Sequence, residues 1–316
     1  MTDQMFSTRT APWMKLGALV DRPQTAMEAA EKGGMNFTVS LRPVYVDVSM
    51  AGHVTDLRPI DNRKAVMADD NNQFMGFASG DRYNILNYGE AFGFMDAINP
   101  HFVAAGNLRD RKQGFMVVET GQTVDVLGGD DPHQMYAVLR TSHDCTRAVE
   151  LSVMMLRGKC MNQLTLKSFM KGVEQRWSIK HLKSMKERLA EATNTVARMS
   201  KYSERFVELV DKMASTTIEK DTARDILKIV IPQPSGKTER VERQYAERIS
   251  QIMELWSTSP TVGYAGTGWG LVNAVSEQFD WYRQGGTAES RFLGALAGNT
   301  HKAINDTAAQ VLARAS

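Results

Sequence analysis

The spacing of apolar residues changes near the middle of the chain, and no other feature of the sequence constrains the fold as strongly. In the first half, apolar and polar residues alternate with a period of two over several short runs, which is typical of β-strands. In the second half, apolar residues recur at three-four spacing from Leu182 to Met213, which is typical of a long helix. The sequence therefore predicts an α+β fold, with a mainly antiparallel sheet followed by a helical bundle.

The first half carries signals of strands, of a hairpin and of one inserted helix. Alternation over Phe37–Val48 slips in phase at Pro43, which predicts either an edge strand or a bulge. The polar segment Asp69–Asn72 lies between two apolar runs and predicts a hairpin turn. Asn87 and Glu90 resemble a capping box and predict the start of the inserted helix. Further strands are predicted over Phe102–Leu108, Phe115–Glu119, Thr123–Leu127, Gln134–Thr141 and Ala148–Met154.

The remaining periodic segments are helical. The heptad stripe predicts one helix from about Ser178 to Ala214, and its methionines favour an adaptable packing seam within the fold or between subunits. Two domains are predicted, an α+β core over 1–176 and a helical domain over 177–316 for packing or oligomerisation. Other helices are predicted over Asp21–Gly33, over Thr238–Trp256, over Trp269–Tyr282 and in the Ala-rich tail from Ser290.

Composition excludes several protein classes. Hydrophobic residues make up 42% and charged residues 23% of the chain, which is typical of a globular protein rather than a disordered one. No apolar run approaches the roughly 20 residues that a transmembrane helix needs. Asp3 and the lack of an apolar block after it are unlike a secretory signal. Cys145 and Cys160 are too few for a disulfide framework, so we expect a soluble protein of a reducing cytoplasm.

The distribution of charge is more informative than the net charge of +2. Between Leu151 and Ser200 there are ten basic and three acidic residues, a local excess that is typical of a polyanion site. A solvated helix face is the alternative interpretation. Lysine and arginine side chains would neutralise phosphates, while Asn162 and His143 would orient the strand by hydrogen bonds. The predicted nucleic-acid-binding residues are Arg140, His143, Arg147, Arg157, Lys159, Asn162, Lys167, Lys171, Arg176, Lys180 and Lys183.

Three aromatic residues lie within or beside this basic segment, namely Tyr136, Phe169 and Trp177. Aromatic rings can stack on the bases of a single strand, and this is one interpretation of their position. The alternative is ordinary packing in the core, which the sequence favours for each of them.

No motif of an enzyme is present. The segment Ser235–Thr238 resembles the end of a phosphate-binding loop, but Ile231 occupies a position where that motif needs glycine. The glycines near Tyr264 do not have dinucleotide-binding spacing. We therefore predict no catalytic residue, no cofactor and no bound metal. The alternatives are a zinc site of His143, Cys145, Cys160 and His181, and a metal-dependent enzyme using His143, Asp144, Cys160 and His181.

An ordered series of short motifs runs along the chain, namely Trp13–Gly17, His143–Ala148, Cys160–Leu164, Trp177–His181 and Thr267–Val275. This series resembles a family of phage- and plasmid-borne proteins known chiefly as a "phage/plasmid-like" domain of unknown function. The sequence departs from that family at Lys159, where an aliphatic residue is expected, and at Leu156-Arg157, where a proline is frequent.

This resemblance implies a protein of a mobile element in a bacterial cytoplasm. The order of elements is also similar to that of single-strand annealing proteins, which form rings or filaments and hold DNA in a basic groove. The leading hypothesis is therefore a non-enzymatic, homo-oligomeric protein that binds and anneals single-stranded DNA during recombination. The alternative is an assembly or host-interaction protein that uses the Met-rich helical seam.

Overall fold

The computed structural model describes residues 5–7, 18–49, 55–80, 83–97, 101–129, 131–157, 163–164, 166, 176–181, 200–235, 238–258, 264–282, 294 and 298–315. The strands are β1 (Met5–Ser7), β2 (Ala18–Leu19), β3 (Val39–Asp47), β4 (Leu57–Ala68), β5 (Phe74–Ser79), β6 (Phe102–Leu108), β7 (Gln113–Val126), β8 (Asp131–Ser142), β9 (Val149–Arg157), β10 (Gln163–Leu164) and β11 (Arg176–Ile179). The α-helices are α1 (Ala26–Lys32), α2 (Tyr88–Phe92), α3 (Ser200–Ala214), α4 (Lys220–Val230), α5 (Glu239–Thr258), α6 (Gly268–Glu277) and α7 (Asn299–Leu312).

These elements confirm the predicted α+β class. The larger sheet has the order β10-β9-β8-β7-β6-β1-β2, and β11 pairs with the same edge of β9 as β10 does. The smaller sheet has the order β3-β4-β5. Every pair of neighbouring strands in the described residues is antiparallel except β1 with β2. Most of the helices follow the sheets in the chain, as the change in apolar spacing predicts.

Strands β7, β8 and β9 are longer than predicted, whereas β6 has its predicted bounds. Phe115–Glu119 and Thr123–Leu127 were expected as separate strands, but β7 runs through both. The register of β7 with β8 shifts between Glu119 and Thr123, where Gly121 has a φ of +76°. The two predicted runs are therefore one strand with a bulge at a glycine between them, because glycine adopts positive φ without strain.

The smaller sheet confirms the predicted bulge and hairpin. The register of β3 with β4 shifts between Pro43 and Tyr45, and a turn at residues 69–72 joins β4 to β5. Apolar side chains in the distal part of the β3–β4 hairpin are solvent-exposed, with Tyr45 at 53% and Leu57 at 57%. The hairpin thus presents apolar surface that the described residues do not cover.

The helix boundaries follow the capping side chains. α1 begins at Ala26 rather than near Asp21, because the Thr25 hydroxyl accepts a hydrogen bond from the Glu28 amide and fixes the N-cap there. Glu90 accepts a hydrogen bond from the Asn87 amide at the start of α2, as the predicted capping box requires. The predicted helices near residues 238 and 269 and in the C-terminal tail correspond to α5, α6 and α7, whereas α4 was not predicted.

The prediction of one helix from about Ser178 is wrong at its start. Ser178 and Ile179 belong to β11, which pairs with β9. Their backbone groups gain strand partners there, and tertiary pairing overrides the helical spacing. Residues 182–199 lie outside the described residues. In α3 the stripe is confirmed as a packing seam, since Phe206, Val210 and Met213 are buried.

Buried side chains on the two faces of the larger sheet form separate clusters. One cluster joins the sheet to the smaller sheet and to the helices, from Ala26 to Val311. The other lies on the opposite face and includes Val117, Val138 and Met154. The first cluster contains residues from both sides of the predicted domain boundary at 176/177, and β11 itself crosses that boundary. None of the helices in the described part of the chain is long and apolar enough to span a membrane.

Candidate nucleic-acid interface

A pocket of about 460 Å³ lies where the β8–β9 turn meets β5 and the residues that follow β11. We refer to it as the turn pocket. It is lined by Phe77, Ser79, Tyr83, Cys145, Thr146, Arg147, Ala148, Lys180 and His181.

Hydrogen bonds within the β8–β9 turn fix the wall of the turn pocket. The Asp144 carboxylate accepts hydrogen bonds from the Thr146 amide at 2.9 Å and from the Gln113 side chain at 3.2 Å. The Arg147 amide donates to the Ser142 hydroxyl at 3.0 Å. Burial raises the pKa of Asp144, but hydrogen bonds from Thr146, Ser142 and Gln113 outweigh it, so the net direction is downward. The carboxylate is therefore ionised and holds the turn in one conformation.

Gly76 allows β5 to approach this turn closely. A Cβ atom at this position would lie 2.8 Å from both the Cα and the carbonyl oxygen of Asp144. Backbone atoms cannot yield as a flexible side chain can, so only glycine lets the two segments touch without displacement. No feature of the sequence indicates this contact, which links the smaller sheet to the turn pocket.

The deep side of the turn pocket is uncharged. The rings of Tyr83 and His181 stack at a centroid distance of 5.4 Å, and His181 is 5% exposed. Burial lowers the pKa of His181 and raises the pKa of Tyr83. Burial also raises the pKa of the Cys145 thiol, and a hydrogen bond with Tyr83 offsets part of this increase. Near neutral pH these groups can donate or accept hydrogen bonds without carrying charge.

Arg147 and Lys180 bring positive charge to the rim. Lys180 is exposed, and no ion pair connects it to any described residue. The Arg147 guanidinium is 3.8 Å from Glu150 and donates to Gln113, but Glu150 is also paired with Arg140 at 3.0 Å. The three cations outnumber the carboxylates of Glu150 and Asp144, so the group has a net positive charge that suits an anionic ligand.

Next to the rim, the smaller sheet exposes aromatic and basic side chains on one face. Arg42 is paired with Ala65, and Ala65 with Phe77, so all three point to the same side. The rings of Phe74 and Phe77 are 4.8 Å apart, and the two residues are 41% and 50% exposed. Arg63 lies on the same face and donates to Ser79 at 3.0 Å. We call this surface, defined by Arg42, Arg63, Phe74 and Phe77, the aromatic face.

The family model for a domain of unknown function (DUF932) matches residues 78–315. The chain belongs to this family. No curated protein and no solved structure matches it. The matched region includes the turn pocket except for Phe77, whereas all four residues of the aromatic face precede it. This confirms the predicted relationship to a domain-of-unknown-function family.

In this DUF932 protein, two predicted phosphate contacts occupy buried positions. Arg157 is 1% exposed, and its Nε lies 2.6 Å from the Asp131 carboxylate, which is fully buried. Arg140 is 7% exposed and pairs with Glu150. Their prediction as phosphate contacts does not fit these positions, because β8 and β9 are central strands whose two faces are both covered. Arg147 and Lys180 come together at the turn pocket.

The remaining predicted residues are either buried or have side chains outside the described part of the structure. His143 is 1% exposed and packs against the rings of Tyr88, at 4.1 Å, and Phe37, so it cannot contact a strand in this conformation. The side chain of Arg176 lies outside the described part of the structure, although its backbone belongs to β11. The residues wholly outside the described ranges are Lys159, Asn162, Lys167, Lys171 and Lys183.

The predicted aromatic contacts and metal ligands also include both described and undescribed residues. Tyr136 and Trp177 are buried, so the core interpretation is confirmed for both, while Phe169 lies outside the described residues. Cys160, part of the proposed zinc sites, also lies outside them. Among the described side chains, no three of the His, Cys, Asp and Glu type form a group that could hold a metal ion.

Proposed function

We propose that this protein binds single-stranded nucleic acid across the aromatic face and the rim of the turn pocket. The observation that carries the proposal is the position of Phe77, a half-exposed aromatic ring that lines the same pocket as Arg147 and Lys180. Single-strand binding surfaces combine aromatic rings that stack on bases with cations that contact the backbone. Arg42 and Arg63 extend the positive charge across the smaller sheet.

The finer proposal is the one the sequence motivates. The ligand is single-stranded DNA, and the protein acts as a homo-oligomeric annealing factor of a phage or plasmid in a bacterial cytoplasm. We propose no catalytic step. The raised pKa of Cys145 is consistent with this, because a protonated thiol is a weak nucleophile.

Salt-dependent binding tests the proposal. Fluorescence anisotropy with a labelled oligothymidylate should show that affinity falls steeply as salt rises, since phosphate contacts release counterions. Arg147→Glu and Lys180→Glu should each weaken binding and reduce the salt dependence. Lys220→Glu, at an exposed position on α4 away from the interface, is the matched control and should bind as the parent protein does.

Two outcomes would reject strand binding at this surface. One is an affinity that does not change with salt. The other is an equal loss of affinity in the Lys220→Glu control and in the rim variants, which would indicate a general effect of net charge.

A second candidate function, docking of a protein partner, is favoured by a different surface. The described part of the Met-rich seam is buried, so it does not supply a docking surface. The β3–β4 hairpin instead exposes Tyr45, Val46, Leu57 and Ile60. Light scattering with and without oligonucleotide separates the two functions. A particle whose mass never changes with DNA, but that captures a protein through this hairpin, would favour the second.

A further inference from the structure

The turn pocket has the size of a small-molecule site rather than of a groove for a long strand. Pockets of about 300–1,000 Å³ typically hold one small organic ligand, and this one has about 460 Å³. The aromatic face beside it is open and belongs to a β-sheet surface. A nucleic-acid strand that crosses the aromatic face could therefore place one nucleotide in the turn pocket while the neighbouring nucleotides remain outside.

The pocket lining has an aromatic part and a cationic part, and these match the base and the phosphate of a nucleotide. Phe77 provides an exposed ring at the mouth, which suits the flat and apolar surface of a base. Arg147 and Lys180 are cations on the same lining, which suits a phosphate group. With Arg140 included, three cations face the two carboxylates of Asp144 and Glu150. The excess of one positive charge matches the single negative charge of one phosphodiester better than that of several phosphates.

The deep side of the pocket carries polar groups. His181 lines the pocket, and its Nε2 lies 3.3 Å from the Thr141 hydroxyl. Cys145 and Thr146 provide a thiol and a hydroxyl beside it.

From these observations we propose that the turn pocket holds a single nucleotide, with its base against Phe77 and its phosphate between Arg147 and Lys180. The inference deepens the proposed function and rests on it for the source of the nucleotide, which is one residue of the bound strand. It predicts that a free nucleoside monophosphate occupies the same pocket.

Cys145 allows a direct test because it lines the pocket and is partly exposed. We would measure the rate of alkylation of Cys145 by iodoacetamide, using peptide mass spectrometry to separate it from Cys160. The measurements would be made with thymidine monophosphate, with oligothymidylate and with inorganic phosphate. At ten times its Kd, a ligand that blocks the thiol should slow alkylation about tenfold, because only about one pocket in eleven stays free.

Variants connect protection to the pocket. Phe77→Ala should abolish the protection given by thymidine monophosphate at that concentration. Tyr45→Ala removes an aromatic residue of similar exposure from the same sheet, outside the pocket, and should leave the protection unchanged.

The outcomes separate this inference from the proposed function. If oligothymidylate binds but neither nucleotide ligand protects Cys145, the single-nucleotide pocket is rejected while strand binding stands. If thymidine monophosphate protects but no oligonucleotide binds, the pocket stands and strand binding is rejected. Equal protection by inorganic phosphate, or equal loss of protection in Tyr45→Ala, would also overturn the inference.

Discussion

Basic residues that are close together in the sequence occupy two different environments in this protein. Arg140 and Arg157 lie on the central strands β8 and β9, where they are buried against Glu150 and Asp131. Arg147 lies between them in the chain but at the rim of the turn pocket. The comparison shows that position in the sheet, and not charge density along the sequence, decides which cations can meet a ligand.

The two environments differ in what the positive charge contributes. A buried guanidinium needs its carboxylate, because the desolvation cost of an unpaired charge is several kcal/mol. A cation at a rim remains hydrated and contributes little to stability, yet it is available for an anion. We therefore expect substitutions to separate into effects on folding and effects on binding, and the predictions below test this separation.

The largest effect is expected for the buried ion pair. Asp131→Ala leaves Arg157 without its carboxylate and should lower the free energy of unfolding by about 3–5 kcal/mol, measured by urea denaturation. The double variant Asp131→Leu with Arg157→Met should recover most of this loss, because it removes both charges. A cost below about 1 kcal/mol for Asp131→Ala would mean that the buried pair resembles a surface pair.

The next effect concerns pH and His143, which is buried beneath the turn pocket. Burial lowers its pKa from 6.5 to about 3, and the neighbouring His181 adds to the shift. As pH falls below 6.5, the unfolded state binds a proton that the folded state does not. Stability should therefore decrease by up to about 1.4 kcal/mol per pH unit until pH approaches 3.

Urea denaturation between pH 7 and pH 4 measures this slope. His133 and His181 also have lowered pKa values and contribute to it, so the comparison must be made with a variant. His143→Gln should have a distinctly shallower slope than the parent protein. Identical slopes would show that His143 does not remain neutral in the folded state.

A smaller effect is expected where β5 touches the β8–β9 turn. Gly76→Ala places a Cβ atom against the Asp144 backbone and should cost about 1–3 kcal/mol of unfolding free energy. It should also weaken strand binding, because the turn carries Arg147. Gly93→Ala is the control, since Gly93 has open space around it and should be neutral or slightly stabilising. Equal stabilities of the two variants would contradict the close approach.

The smallest effect on stability is expected at the rim. Lys180→Glu should change the free energy of unfolding by less than about 0.5 kcal/mol, because the side chain is exposed. The same change should reduce the slope of log affinity against log salt by about 1 if Lys180 contacts a phosphate. A large loss of stability would place Lys180 with Arg157 and would remove the contrast between the two environments.

The sequence predicted much of the fold because its signals are local. Alternation identified most strands of the larger sheet, Pro43 identified the bulge of β3, and Thr238 and Thr267 precede helices near the expected positions. The sequence-based prediction was wrong where pairing partners are distant in the chain. Ser178 lies in β11 rather than in the predicted helix, because β11 pairs with an open edge of β9, more than twenty residues earlier.

The candidate site was predicted only in part. Arg147 and Lys180 were identified from charge, but so were Arg140 and Arg157, whose burial leaves them no surface for a phosphate. Phe77 was not predicted, because the sequence does not distinguish an exposed aromatic residue of a strand from a buried one. Gly76 gave no signal either, since only the approach of the β8–β9 turn requires a glycine there.

The sequence alone determined the α+β class and the order of sheets before helices, because periodicity and capping act within a few residues. Only the tertiary structure decided which cations lie at the surface and which form buried pairs. It also decided that β5, the β8–β9 turn and the end of β11 meet around one pocket. These outcomes depend on which faces of the sheets are covered and on which distant strands pair, and no short segment of the chain contains that information.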